Sequence, residues 1–458
     1  MQINKYLLLI STPILAIAIA VLMLSMGVAK PIAITAAIAL LCVIFWVSEP
    51  IPIPATSLLP FVLFPLFGIT DHKIIASAFG SHVILLLMGA FMLSKALEKS
   101  GVHERFAVYM VNLIGVSSPT RLVLGFMLAA SLLSMWISNT ATVLIMLPMA
   151  LAILAHVNNQ RLKVALILGV AYAASLGGVG TLIGTPPNVI FVGIYEQFTN
   201  SEFGFLNWMK VGVPVVLISI PIMAIWLTRN ISFNDKIIMP KLGSWRTEEI
   251  RTVWVFAATT LAWITRNEPF GGWSDWFQIP NAGDSTVALF AVVLMFAIPN
   301  GKNSRLLDWQ TAKTIPWDML ILFAGGIALA KGFVASGLSE LIGQWLVSFA
   351  QYPLVIMLLL LCLGVTYLTE MTSNTATATL LMPILASAAI SLNIDPALLM
   401  IPAAMCASCA FMLPVATAPN AIAYGTGEVS IKEMVTEGAI LSLMISVIIA
   451  LVCYWVLG

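Results

Sequence analysis

Two copies of one short polar stretch, Ser-Asn-Thr-Ala-Thr, lie far apart in an otherwise apolar chain, at 138–142 and at 373–377. Their side chains offer neutral oxygens to a cation and hydroxyl or amide donors to an anion. They also favour helix N-caps, so we expect a helix to begin at each stretch with its free N–H groups and positive dipole end available to a carboxylate. One copy would be explained by capping or by a hydrogen bond between membrane helices, whereas two equivalent copies favour a binding site.

The composition indicates that lipid surrounds most of the chain. Of its 458 residues, 60% are hydrophobic and 9% are charged, whereas soluble domains carry about 25% charged residues. The net charge of +1 gives no reason to expect a nucleic-acid partner. The apolar run from Tyr6 to Val28 is too long for the core of a signal peptide, so we interpret it as a retained first transmembrane helix. The five cysteines lie in apolar segments and are interpreted as packing residues.

The apolar runs predict an all-α polytopic membrane protein with about eleven transmembrane helices. The predicted spans are 6–28, 33–47, 54–69, 82–98, 164–180, 211–228, 252–265, 286–299, 317–334, 398–415 and 438–457. Two further regions, 119–156 and 353–392, each have two short apolar arms around a polar tip, which is the pattern of a re-entrant hairpin. Non-helical backbone at membrane depth survives only where protein or water covers it, so each tip must face a cavity.

The chain, one membrane unit over 1–458, repeats itself after roughly 235 residues. The segment 89–95 matches 325–331, the two polar stretches match each other, and 185–188 matches 417–420. We place the first repeat at 33–228 and the second at 252–457. An odd number of predicted crossings separates the copies, so they have inverted topology, which is an architecture of secondary transporters.

Charge placement predicts the orientation of the chain in the bilayer. Basic residues concentrate in the loops before and after the first hairpin, between 229 and 251, and between 302 and 313. The positive-inside rule then places these loops and the N-terminus in the cytoplasm and the C-terminus outside. The first hairpin would enter from the inside and the second from the outside.

A broken helix is predicted one helix after each hairpin, near the membrane midplane. The first is the glycine-rich run that ends in Thr185-Pro-Pro-Asn188, and the second is the region of Pro414 and Thr417-Ala-Pro-Asn420. Proline removes a backbone donor and glycine permits close approach, so carbonyl groups become free to bind Na⁺.

Few charged residues are predicted near membrane depth. For Lys95 and Lys331 we favour snorkelling or capping of a helix end over direct contact with substrate. The role of Glu370 stays open between local pairing and participation in coupling. Because no basic residue is evidently placed to neutralise a bound dianion, charge balance argues for at least two co-bound cations.

The paired Ser-Asn-Thr motifs, the Gly-Thr-Pro-Pro-Asn break and the order of hairpins resemble the divalent-anion:sodium symporter family, in particular its bacterial sodium/dicarboxylate transporters. The resemblance covers essentially the whole chain and implies a homodimer with an elevator-like mechanism in the bacterial cytoplasmic (inner) membrane. One departure is Ala418, where family members often have proline. The implied first sodium site is Ser134, Ser138, Asn139 and Gly184, and the second is Thr369, Thr372, Asn374 and Ala416. The implied substrate residues are Ser138, Asn139, Thr140, Ser373, Asn374, Thr375, Thr185, Pro186 and Thr417.

The leading hypothesis is therefore sodium-coupled import of C4 dicarboxylates such as succinate, fumarate or malate. Within the same fold, transport of sulfate or citrate and exchange of dicarboxylates remain alternatives. A cation antiporter is disfavoured because the tips are neutral and no pair of intramembrane aspartates is predicted. We do not expect an enzyme, since the histidines, among them His72, His103 and His156, are scattered along the chain.

Overall fold

The computed structural model describes residues 5–154, 159–231, 243–268, 270–346 and 353–458. Within these ranges the regular structure is helical, apart from one isolated β-bridge between Pro299 and Arg305. His156 and the centre of the loop between 229 and 251 lie outside the described residues.

The described residues up to 231 form twelve α-helices and one 3₁₀ helix. They are α1 (Lys5–Ser25), α2 (Lys30–Ser48), α3 (Ile53–Ser57), α4 (Leu59–Leu66), α5 (His72–Ala76), α6 (His82–Ser100), α7 (Val102–Ile114), α8 (Pro119–Ser134), α9 (Asn139–Leu154), α10 (Gln160–Gly177), the 3₁₀ helix Gly178–Gly180, α11 (Pro186–Thr199) and α12 (Phe205–Leu227).

The described residues from 243 onwards form eleven α-helices. They are α13 (Thr247–Ile264), α14 (Gly272–Trp276), α15 (Asp284–Ala297), α16 (Trp309–Ala312), α17 (Trp317–Ser336), α18 (Leu338–Leu346), α19 (Leu354–Thr369), α20 (Asn374–Ser391), α21 (Ala397–Ala407), α22 (Ala418–Gly425) and α23 (Ile431–Leu457).

The prediction of an all-α polytopic membrane protein is confirmed. Among the described residues, seven helices are long and apolar enough to cross a bilayer, and α20, the predicted second arm of the second hairpin, is one of them. Six further apolar helical segments are shorter. The total of eleven crossings therefore stays a prediction.

The predicted span at 54–69 corresponds to the apolar helical segment Ile53–Leu66. Within it, α3 and α4 meet at Leu58, and Pro60 lies in the first turn of α4, a position that proline favours. The span at 398–415 ends at Ala407, and the chain is non-helical from Ser408 to Thr417. The second break thus begins well before Pro414, where the proline content of the sequence placed it.

Each of the two predicted hairpin regions consists of two helices that meet at the polar tip, and their re-entrant path stays a prediction. Each first arm has 16 residues, or about 24 Å at 1.5 Å per residue, and so is shorter than the ~30 Å hydrocarbon core. Each second arm begins at the tip, at Asn139 and at Asn374. Ser138 Oγ accepts a bond from Ala141 N, whereas Ser373 makes no capping bond through its side chain. Capping by the tip serine is therefore present in one copy only.

The order of elements recurs along the chain. The helices α6 and α17 both end at a glycine with positive φ, at Gly101 (74°) and Gly337 (81°), where a side chain would be strained. A short helix, a helix–tip–helix unit, a broken helix and a long helix follow each glycine. This recurrence spans α6 to α12 and α17 to α23.

A buried charge cluster joins elements from both halves at one end of the bundle. Arg266 lies 3.1 Å from both Glu202 and Asp284, and Asp284 also accepts a bond from Phe205 N at 2.9 Å. The side chains of Arg266 and Asp284 are only 6% and 7% exposed. Because Arg266 and Asp284 have both left water, whereas Glu202 is 46% exposed, each of these two buried charges depends on the other.

We expect Arg266→Met to lower the free energy of unfolding by about 3–5 kcal/mol, because it leaves the buried Asp284 carboxylate without a cation. The measurement is denaturant unfolding of the purified protein in detergent. Lys210→Gln is the matched control, since the Lys210–Glu268 pair is half exposed and its loss should cost less than about 1 kcal/mol. Equal losses of unfolding free energy in the two variants would contradict the conclusion that the buried Arg266–Asp284 pair stabilises the fold.

Candidate functional site

A central cavity of about 710 Å³ lies between the two tips and the two helix breaks. Most of the predicted site residues line this cavity, namely Ser138, Asn139, Thr140, Gly184, Thr185, Pro186, Thr372, Ser373, Asn374, Thr375, Ala416 and Thr417. The other two, Ser134 and Thr369, are fully buried and contact the tip asparagines. The fold thus brings both motifs and both breaks to one place.

In the first half of the cavity, the Ser134 hydroxyl lies between the tip and the broken helix. Its Oγ is 2.7 Å from Asn139 Oδ1 and 2.6 Å from the carbonyl oxygen of Ala174. When the amide of Asn139 is turned so that its nitrogen faces this group, the nitrogen lies 2.7 Å from Ser134 Oγ and 3.3 Å from the carbonyls of Gly184 and Ala174. The polar end of the Asn139 side chain is therefore close to three oxygen atoms, those of Ser134, Gly184 and Ala174.

In the second half, Thr369 occupies the place of Ser134. Its Oγ1 is 2.9 Å from both Asn374 Oδ1 and the carbonyl oxygen of Ala407. Nearby, the hydroxyls of Thr372 and Thr377 are 2.6 Å apart. The same arrangement of hydroxyl, amide and helix-end carbonyl is thus built twice.

The hydrogens are placed differently in the two clusters. With its nitrogen facing Ser134, the Asn139 amide donates to Ser134 Oγ, and the hydroxyl hydrogen of Ser134 is then free for the carbonyl of Ala174. In the second cluster, Thr369 has one hydroxyl hydrogen but two acceptor oxygens at 2.9 Å. Both clusters consist of neutral oxygens, which are the ligands that hard cations prefer.

The first helix break is held by Asn188. Its Nδ2 donates to the carbonyl oxygens of Gly178 at 3.0 Å and Thr181 at 2.8 Å. The Thr181 hydroxyl in turn donates to the carbonyl of Met135 at the tip. The proline-flanked asparagine thus replaces the hydrogen bonds that the interrupted helix lacks.

The second break is held in the same manner by Asn420. Its Nδ2 donates to the carbonyl oxygens of Ala410 at 3.1 Å and Leu413 at 3.0 Å. The two breaks also meet, since the hydroxyls of Thr185 and Ser408 are 3.2 Å apart. The repeated Thr-x-Pro-Asn pattern indicated both asparagines, whereas nothing in the sequence indicated Ser408.

The first cluster is closely packed around Gly178. A Cβ atom at this position would lie 2.8 Å from both Asn139 Oδ1 and the carbonyl oxygen of Gly184. Glycine is therefore required here for space, and these oxygens can approach one another only because no side chain intervenes.

The charged residues left open by the sequence have different surroundings. Lys95 lines the cavity and forms an ion pair with Glu98 at 2.7 Å. Lys331 donates to Ser77 Oγ at 2.6 Å and is not among the lining residues. Glu49 also lines the cavity. Among the described lining residues, the one lysine is therefore already paired with a carboxylate.

Comparisons with known proteins agree on one class. The family model "CitMHS: Citrate transporter" matches residues 43–398. The sodium-dependent dicarboxylate transporter SdcS of Staphylococcus saprophyticus is 40% identical over 426 residues, which are 87% of this chain and 81% of that protein. SdcS of Staphylococcus aureus strain N315 is 41% identical over 428 residues, 88% and 81% of the two chains.

A solved structure supports the fold. The Alcanivorax borkumensis YdaH transporter superposes with a TM-score of 0.58 at 16% identity, over 83% of this chain and 87% of that one. An identity this low shows the fold alone. The SdcS relatives and the matched family model, together with the twice-built site, show that this chain is a multi-pass membrane protein of the divalent-anion:sodium symporter family.

Proposed function

We propose that this protein is a secondary transporter that couples import of a C4 dicarboxylate, such as succinate, fumarate or malate, to co-transport of sodium ions. The observation that carries the proposal is the pair of equivalent clusters of neutral oxygens around Ser134 and Thr369, one at each tip. The names of the SdcS relatives support the same ion and substrate class.

The two clusters would take one sodium ion each. The first would use Ser134, Ser138, Asn139 and Gly184, and the second Thr369, Thr372, Asn374 and Ala416. In the first, rotation of the Asn139 amide exchanges a nitrogen that satisfies the carbonyl of Gly184 for an oxygen that binds the ion. In the second, the ion would take the place of a proton between Thr369 Oγ1 and one of its two acceptor oxygens.

The dicarboxylate would bind between the tips, on Ser138, Asn139, Thr140, Ser373, Asn374 and Thr375, beside Thr185, Pro186 and Thr417. Amide and hydroxyl donors there can meet carboxylate oxygens. The first-turn N–H groups of α9 and α20 add donors at the positive ends of two helix dipoles. Because Lys95 is paired with Glu98, at least two sodium ions would supply the neutralising charge.

Citrate is the second candidate substrate, because the matched family model describes a citrate transporter. A fully ionised citrate brings one more negative charge than succinate and so needs a further positive charge in the cavity. The described lining residues offer Lys95, paired with Glu98, alongside Glu49, which favours the dicarboxylate. Competition by unlabelled citrate, sulfate and succinate distinguishes the candidates.

We propose an elevator mechanism in a homodimer, with hairpins that enter from opposite sides and two inverted repeats, at 33–228 and 252–457. The central cavity extends from the tips to Glu49, Lys95 and Thr314. These residues adjoin the basic segments that the positive-inside rule places in the bacterial cytoplasm. The N-terminus would then be inside, the C-terminus outside, and the described conformation open to the inside.

In proteoliposomes of purified protein, succinate uptake should require an inward sodium gradient. Potassium in place of sodium should reduce uptake to the level of empty vesicles, because the oxygen clusters then lack the ion that completes them. Equal succinate uptake with and without sodium would contradict sodium coupling.

Asn139→Ala and Asn374→Ala should each lower succinate uptake at least about tenfold, because a hydrogen bond to a charged group contributes about 1.5–3 kcal/mol. Asn112→Ala, at an exposed position on α7, is the matched control and should transport normally. Near-normal uptake by both tip variants would refute the site assignment.

Gly178→Ala should raise the sodium concentration for half-maximal uptake, since its methyl group would enter the space between Asn139 and Gly184. Gly364→Ala adds the same methyl where no atom lies within 4 Å, and its sodium dependence should match wild type. An unchanged sodium dependence in Gly178→Ala would show that the first cluster binds no ion.

A further inference from the structure

We propose that Glu370 is a positioning residue that holds the unwound segment of the second broken helix and, through its negative charge, makes the second cation site the stronger of the two. This inference rests on the proposed function. It concerns a carboxylate whose role the sequence left open.

Glu370 is the first residue after α19, beside Thr369, and its exposure is 3%. One carboxylate oxygen accepts bonds from the backbone N–H groups of Phe411 at 2.6 Å and Met412 at 2.9 Å, and the other from that of Leu413 at 3.1 Å. Three consecutive N–H groups of the unwound chain are thus satisfied by one side chain. Bonds of this kind, from a carboxylate to backbone N–H, are among the strong ones.

The same segment is held from its other side by carbonyl contacts. Asn420 Nδ2 binds the carbonyls of Ala410 and Leu413, and the carbonyl of Phe411 lies against Gly438 of α23, where a Cβ atom would be only 2.3 Å away. The segment leads directly to Ala416 at the cavity wall. Glu370 therefore fixes the path of the chain that carries a proposed sodium ligand.

The charge of Glu370 has no cationic partner among the described residues, since no ion pair within 4.0 Å includes it. Its compensation comes from three N–H dipoles alone. A buried carboxylate in this setting attracts a nearby cation strongly, because the surroundings screen poorly. The second oxygen cluster is built on the preceding residue, Thr369.

The first half of the cavity has no such charge at the matching position. Ser134 matches Thr369, so Met135 matches Glu370, and the first break contacts Met135 through a neutral bond from Thr181 to its carbonyl. The two proposed sodium sites have similar oxygen ligands, but only the second has a fixed negative charge beside it. The second site should therefore bind sodium more tightly and fill before the first.

Glu370→Gln tests the charge while retaining an acceptor oxygen of similar shape. In proteoliposomes at saturating succinate, we expect the sodium concentration for half-maximal uptake to rise roughly tenfold, the effect of one charge at short range in a poorly screening site. The maximal rate at saturating sodium should remain within about threefold of wild type. Sodium-dependent thermal stabilisation in detergent, without substrate, should weaken in parallel.

Glu437→Gln is the matched control, because Glu437 is also a partly buried carboxylate but pairs with Arg229 and Trp226 away from the cavity lining. Its sodium dependence should equal that of wild type. Glu370→Asp retains the negative charge, but its shorter side chain holds the unwound segment less firmly. Its maximal rate should therefore fall, while the sodium concentration for half-maximal uptake stays within about threefold of wild type.

The outcomes separate this inference from the proposed function. If wild type responds to sodium and Glu370→Gln responds at the same concentrations, the inference is overturned and sodium coupling stands. If Glu370→Gln does not fold, Glu370→Asp decides, and a tenfold loss of sodium affinity in that variant would overturn the role of the charge. If wild type shows no sodium response at all, the proposed function fails and the inference fails with it.

Discussion

In each half of the central cavity, one hydroxyl group lies between a tip asparagine and a carbonyl at the end of a broken helix. Ser134 makes this contact with Asn139 and Ala174, and Thr369 makes it with Asn374 and Ala407. The contact requires a tip that ends at membrane depth and a helix that stops beside it. Much of the surrounding architecture can be understood as the means of meeting these two requirements.

A helix that stops inside a membrane leaves backbone groups without partners, and each such group is costly in lipid. The structure supplies those partners locally. Asn188 and Asn420 each bind two carbonyls of a break, and Glu370 binds three N–H groups of the second. The breaks are therefore well-determined features, and their polar atoms are arranged for use at the cavity.

The electrostatics of the cavity depend on the polar and charged groups that are not used to hold the helix breaks. Neutral oxygens are plentiful, and the lysine in the described lining is paired with Glu98. The carboxylate of Glu370, next to Thr369 in the chain, accepts three backbone N–H bonds but has no cationic partner among the described residues. Such a cavity does not suit an anion alone, because a dianion would lie among oxygens and acids. Together with cations, the same groups become complementary to it, which is the physical basis of the proposed coupling.

The sequence by itself determined the membrane class, the paired tips and the two breaks, and twelve of the fourteen site residues that it indicated line the cavity. These features depend on local composition and on motifs that recur at a fixed interval, and both can be counted along the chain. Only the tertiary structure decided which carbonyls face Ser134 and Thr369, that Glu370 reaches Phe411, and that Ser408 meets Thr185. These contacts join residues from 38 to 223 positions apart, and no periodicity records them. The junction between α3 and α4 and the early end of α21 were missed for a related reason. Apolar composition indicates which segments lie in lipid, but it does not indicate where a helix ends within them.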